Sequence, residues 1–188
     1  LQETVEVDRA DNGQTVSVMT LTSGPLTYTY KARYDANTGE SVITVFDSES
    51  MRKAVAGLVA KAATGAGMSL SDEIMKSVES EIKVKGEIDI VIDPAAKSGS
   101  PMRSSEIKIK TKDLNAKISL TGKYLGFETI TVPAGTFDCV KVEYTMTSAL
   151  PNEDLPKTVT AWFAEGIGEV RTVSKHLETG VTEEQVLT

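Results

Sequence analysis

The sequence predicts a mainly β fold with two short helices, a twisted antiparallel sheet laid over a helix pair. Three observations carry the prediction. Apolar and polar residues alternate in several stretches, the period that sends successive side chains to opposite faces of a strand. One stretch near residue 50 changes to helical spacing. Clusters of Gly, Pro, Asn, Asp and Ser punctuate the chain, but none is rich enough to act as a linker, so residues 1–188 read as a single domain. A chain of 188 residues with 40% hydrophobic and 25% charged residues has the composition of a folded protein. At that length, about 70% of the unfolded surface is buried.

Taken in order, the first alternation is "YTYKARY", with Tyr28, Tyr30 and Tyr34 on one face, after a turn at "SGP" (23–25). "ANTG" (36–39) then joins it to "SVITVF" as a hairpin. "DANTGE" starts like a calcium loop, with Asp35 and Asn37 at positions one and three. The likeness ends there, because Gly39 falls at five and Phe46 at twelve. Met51, Ala54, Val55, Leu58 and Val59 form a helical stripe that Gly65 is placed to end. A second helix follows, with Ser69 or Ser71 as N-cap, Asp72 and Glu73 in its first turn, and Ile74, Met75 and Val78 on one face. The two are expected as a hairpin packed on the apolar side of the sheet.

"IKVKGEIDIVID" gives the cleanest strand. Ile82, Val84, Ile88, Ile90 and Ile92 share one face, opposed by Lys83, Lys85, Glu87 and Asp89. "DPAAKSGSP" (93–101) is the longest loop and is expected to be the mobile one. In "EIKIKTKDLNAK" (106–117), Lys alternates with Ile, which reads as the solvated face of a strand. Leu114, Ala116, Ile118 and Leu120 repeat the pattern against Asn115, Lys117 and Ser119. Strands with one wet face favour antiparallel pairing. "LPNEDLP" (150–156) and "ETG" (178–180) are further turns.

"TVPAGTFDC" (131–139) concentrates special residues, including the chain's one cysteine. Pro133 has its φ preset and donates nothing to a ladder; Gly135 can take the positive φ that a type II or related turn requires. The segment reads as a hairpin corner between Ile130/Val132 and a strand beginning at Phe137, with the Phe137 ring as its apolar plug. If that ring is buried, Phe137→Ala costs about 3–5 kcal/mol. Cys139 precedes Val140, Val142, Tyr144 and Met146 on the opposite parity, which implies a bulge or a strand covered on both faces. In such a strand a cysteine acts as a small hydrophobe. "AWFAEGIGEVR" reads as a second hairpin, with Gly166 and Gly168 at the bend and Trp162 and Phe163 as core or rim aromatics.

No catalytic, metal or cofactor constellation emerges. A net charge of −7 and a pI near 4.9 oppose non-specific nucleic-acid binding, which needs Lys and Arg at phosphates. One cysteine excludes an intramolecular disulfide and a cysteine-built metal site. His176, the single histidine, is expected at the surface and has no partner at metal-binding spacing. There is no "GxSxG" elbow, and "GIGEVR" (166–171) lacks the Lys and helix of a phosphate loop. The chain is therefore expected not to be an enzyme. No apolar run approaches the ~18 residues of a membrane-spanning helix. The first residues lack the parts of a signal peptide, so the signal of an exported protein would lie upstream of Leu1.

"YLGFETITVPAGTFDCVKVEY", followed by "TVTAWFAEGIGEVRTVS", resembles an uncharacterised family of Gram-negative envelope proteins, the domain of unknown function numbered 3108 and its relatives. Glu128, Pro133, Ala134, Gly135, Thr136, Phe137 and Cys139 carry the first block. Trp162, Phe163, Gly166, Gly168, Val170 and Arg171 carry the second. The likeness is strongest over residues 124–174 and looser from Ser71 to Pro94. It implies an exported, often lipid-anchored β domain of the periplasm or outer membrane, a half-barrel like those of periplasmic lipoprotein carriers, with no established catalytic residues. The expected partner is a lipid-like or peptide ligand in a groove of the sheet, at residues the sequence does not name. The alternative is an assembly module that presents a surface to an envelope protein.

Overall fold

The computed structural model describes the backbone of residues 2–9, 14–23, 26–65, 71–112, 114–148 and 156–188. Side chains are described for residue 15 and from residue 31 onward within those ranges, residues 64 and 72 excepted. The strands are β1 (Gln2–Arg9), β2 (Gln14–Ser23), β3 (Leu26–Asp35), β4 (Ser41–Phe46), β5 (Lys83–Ile92), β6 (Ser105–Lys110), β7 (Asn115–Val132), β8 (Gly135–Ser148), β9 (Lys157–Ala164), β10 (Gly168–His176) and β11 (Thr182–Val186). Helices α1 (Ser48–Gly65) and α2 (Asp72–Glu81) sit between β4 and β5. All eleven strands form one open antiparallel sheet in chain order, each pairing with its sequence neighbours. The mainly β, antiparallel, two-helix fold is therefore as expected. Tyr28 and Tyr30 stand in β3, but their side chains lie outside the described ones, as do the "SGP" turn and nearly all of "LPNEDLP".

The alternation sets the inner face. Ile88, Ile107, Ile118, Leu120 and Val142 are fully buried there, joined by Ile82, Val84, Ile90, Ile92, Tyr144 and Phe163. The intervening lysines of β5 and β6 are exposed. The sheet also bends. Tyr34 of β3 donates a hydrogen bond to Glu165, just after β9, at 2.6 Å. In a flat sheet, strands six places apart would stand about 29 Å from one another. The main core fills the concave side of that bend.

Helix α1 closes one end of the concave side, packing on β3, β5 and α2. It starts where Asp47, overlooked in the sequence, accepts from the Ser50 amide at 2.7 Å and pairs with Lys31 at 2.9 Å. Ser71 caps α2 by accepting from the Ile74 amide. The expected apolar stripe is only half covered, which corrects the sequence reading. Met51, Val55 and Ala56 are buried, whereas Leu58 is 50% and Val59 41% exposed. On α2, Ile74 is 47% exposed. The buried positions of α1 all lie in its first half, so the second half extends beyond the core cluster that the first half joins.

The loop expected to be mobile is instead pinned. Gly99 and Met102 donate to the carbonyls of Tyr124 and Gly122, the Tyr124 amide donates to Ser100, and the Ser98 hydroxyl donates to Leu125. Residues 98–102 thus extend the ladder along β7 where the short β6 has ended, and Pro101 bridges to Lys123. The Tyr124 hydroxyl anchors the other side, donating to the Val91 carbonyl at 2.7 Å.

A bulge between Tyr124 and Gly126 shifts the register of β7 against β8. Beyond it the burial changes sides. Ile130, Val132, Cys139, Trp162, Ala164 and Val170 form a second, smaller core on the convex face. Strand β8 is therefore covered on both faces, with Cys139 in one core and Val140 in the other. Leu187 folds over this second core, and its carbonyl accepts from the Ala134 amide at the β7–β8 turn.

Candidate functional site

The unusual nine residues resolve into architecture. Pro133 and Ala134 are the two loop residues between paired Val132 and Gly135, and Gly135 has φ +146°. Strand β8 begins at Gly135, two residues before the expected start at Phe137. The Phe137 ring lies against Gly135 and the second core but is only partly buried, so the cost expected for a fully buried ring does not apply. The Cys139 side chain is 1% exposed, and burial first, then the nearby Asp138 and Glu128 carboxylates, push its thiol up. Its one hydrogen-bond acceptor is the Phe137 carbonyl.

Cys139 and His176 do not meet. Cys139 is level with Ala164 and His176 with Lys157, seven positions apart on β9, or about 23 Å along a strand. His176 is partly buried, where the sequence suggested an exposed ring, because its Nδ1 accepts from the Thr179 amide in the β10–β11 turn. Among the described residues no three His, Cys, Asp or Glu side chains gather to hold a metal ion.

Glu128, Trp162 and Arg171, three residues of the family likeness, form one cross-strand network. Trp162 donates from Nε1 to Glu128 at 3.0 Å, and Lys141 binds the same carboxylate at 2.8 Å. Lys141 and Arg171, its neighbours on β8 and β10, stand 4.8 and 4.7 Å from the Trp162 ring centroid. Arg171 in turn binds Glu184 of β11. The hydrogen bonds from Lys141 and Trp162 hold the Glu128 carboxyl below its usual range. Every group here is paired, and the network ties five strands, β7 to β11, together across the second core.

The feature suited to a ligand lies on the concave face, at the end away from the helices. A cavity of about 320 Å³ opens between the β3–β4 hairpin and the β9–β10 turn. Its apolar lining comes from Ala32, Ile43, Ile92, Val140, Phe163 and Ile167. The register explains why they converge. Ala32, Ile43 and Ile90 form one inward row and Tyr34, Ser41 and Ile92 the next, while Val140 pairs with Phe163 on the facing strands. One large apolar side chain of the lining stands in solvent: Ile167, at the turn tip between Gly166 (φ +69°) and Gly168 (φ +98°), is 55% exposed. Phe127, paired with Val140 on β7, is 65% exposed. The Tyr34–Glu165 hydrogen bond crosses the mouth and raises the Tyr34 hydroxyl above its ordinary value. A groove in the sheet is expected from the sequence, but none of these residues is, because the lining comes from segments more than 100 residues apart.

A family model described as DUF3108-like matches residues 68–176, which takes in both blocks of the likeness and the strands between them. No curated protein matches the chain. Two crystal structures are similar over nearly its whole length. One, from Bacteroides fragilis, is of a protein described as exported and having a YmcC-like fold; it is 18% identical, covers 98% of this chain and 84% of its own, and has a TM-score of 0.56. The other, from Parabacteroides distasonis, is of a protein described as a lipoprotein; it is 20% identical, covers 97% and 82%, and has a TM-score of 0.50. The shared fold extends to the N-terminal strands that the family model does not reach. Since the model spans more than half of the chain, this protein belongs to the DUF3108-like family.

Proposed function

We propose that this member of the DUF3108-like family is a non-enzymatic domain of the bacterial envelope, in the periplasm or on the outer membrane, that holds an apolar, lipid-like ligand in the cleft between the β3–β4 hairpin and the β9–β10 turn. The observation that carries the reading is the cleft itself, lined largely by aliphatic and aromatic side chains, with Ile167 exposed at its rim and Phe127 exposed beside the lining residue Val140. Its volume is at the lower end of the range for small-molecule sites. That size fits a segment of acyl chain better than a whole lipid. A half-barrel is the matching picture of the sheet, with helices at one end and the ligand at the other. The envelope location draws support from the similar structures described as exported and as a lipoprotein.

The rival reading, an assembly module, would use an open sheet edge. Strand β11 is such an edge and is exposed throughout, but it carries Glu183 and Glu184, and charges of this kind protect an edge from pairing.

Titration with a fluorescent fatty-acyl probe tests the ligand reading. The wild-type protein should bind the probe, and Phe127→Ser with Ile167→Lys, both at exposed positions, should weaken binding at least about ten-fold, a change of ~1.4 kcal/mol. Absence of probe binding by the wild-type protein, together with no lipid-sized mass increment in native mass spectrometry, would falsify it.

A further inference from the structure

The convex face of β5, β6 and β7 carries a cluster that the cleft does not explain. Lys83 stands directly opposite Lys110, and Lys85, Lys108 and Lys117 form a row across three strands. All five are exposed. Like charges placed directly opposite one another destabilise a sheet. A single salt-bridge partner, Glu106, serves both Lys108 and Lys117; Lys83, Lys85 and Lys110 pair with no described residue. Glu87 and Glu106, opposite each other, bound the patch on one side. On the other side the patch continues into a groove between the helices and β5, where Arg52 and Lys76 join Lys83 and Lys85 around Glu79. This positive surface sits on a chain of net charge −7.

We propose that this face docks on an anionic lipid bilayer, with the lysines at the headgroup phosphates. The helix pair that walls the groove supplies the second half of the argument: beyond the groove residue Arg52 on α1, Leu58 and Val59 are 50% and 41% exposed. A cationic groove whose helical wall also exposes aliphatic side chains matches a surface with phosphate at the top and hydrocarbon beneath. A nucleic acid would offer the phosphates but nothing to the aliphatic residues. The site is separate from the cleft, which opens at the opposite end of the concave face, so either assignment stands without the other.

Co-sedimentation with vesicles tests it. The wild-type protein should bind vesicles containing equimolar phosphatidylglycerol and phosphatidylcholine at low salt, release them as salt rises, and ignore pure phosphatidylcholine. The double variant Lys83→Glu/Lys85→Glu should lower the partition coefficient by about 25-fold or more, at about five-fold for each lysine. Its fold is protected by the register, since each new carboxylate faces a lysine on β6, and its melting temperature should equal or exceed that of the wild type. Leu58→Ser/Val59→Ser should weaken binding while leaving the salt dependence unchanged. The proposal fails if the wild type does not bind the anionic vesicles, if the charge-reversed protein binds them equally well, or if duplex oligonucleotide is bound as tightly as vesicles at the same salt.

Discussion

The two ends of the concave face are built from the same strands yet finished differently. At one end the apolar rows of β4 and β5 run under α1, so that Met51, Val55 and Ala56 close the core over Ile82, Val84 and Ile88. At the other end the same two strands contribute Ile43 and Ile92 to a cavity bridged by one side-chain hydrogen bond. The difference arises from where the chain spends its helical residues. They are inserted between β4 and β5, which places them beside the last residue of β4 and the first of β5, and leaves the β3–β4 turn end uncovered. An inner face of one composition can thus be a core at one end and a binding surface at the other.

The sharpest way to break this comparison is to remove equivalent atoms from both ends. Ile88→Ala, at a fully buried position, should cost about 2–5 kcal/mol in urea unfolding, whereas Ile43→Ala, beside space that already exists, should cost about 1 kcal/mol. Equal losses would mean that the cleft end is packed like the other.

A smaller effect is expected at the start of α1. Asp47→Ala removes both the cap and the Lys31 ion pair, for a loss of about 1 kcal/mol. Burial raises the Asp47 carboxyl, but the bonds from Ser50 and Lys31 outweigh it and hold the group below its usual value. A depressed folded-state pKa stabilises above the unfolded carboxylate range and loses that stabilisation as pH falls through the folded value. The difference in melting temperature between wild type and Asp47→Ala should therefore be full at neutral pH and shrink in acid below about pH 4. A gap that persists there would assign the effect to packing instead of charge.

The smallest change in stability belongs to Tyr34→Phe, which unlinks the cleft mouth at the surface. Global unfolding should hardly move, while amide exchange around residues 164–168 and 39–41 should quicken. Unchanged exchange would show that the hydrogen bond does not hold the mouth.

Much of the framework was legible because burial follows sequence parity. The faces of β5 and of the Leu114–Leu120 stretch, the hairpin at Pro133 and the dual coverage of β8 could be read from alternation and turn chemistry alone. Long-range placement was not legible. Nothing local in "DPAAKSGSP" signals that it will lie along β7, since the bonds that pin it come from a strand that is 18 residues long where its neighbour β6 has six. The α1 stripe is right in period but silent about how much of the helix the core covers. Cys139 is buried where alternation on both faces of β8 places it, while the Phe137 ring, at the corner, is only partly buried. The lysines were visible as a solvated face, but only the register shows them stacked against one another across strands.

A meander also imposes an order of assembly. Each strand needs only the strand before it, so during synthesis the ladder can grow hairpin by hairpin from the N-terminus. The Tyr34–Glu165 bond does not follow that order, because it spans 131 residues of chain. The cleft thus comes into being only after the ninth strand has been made, so the protein acquires its framework early and its capacity to bind late.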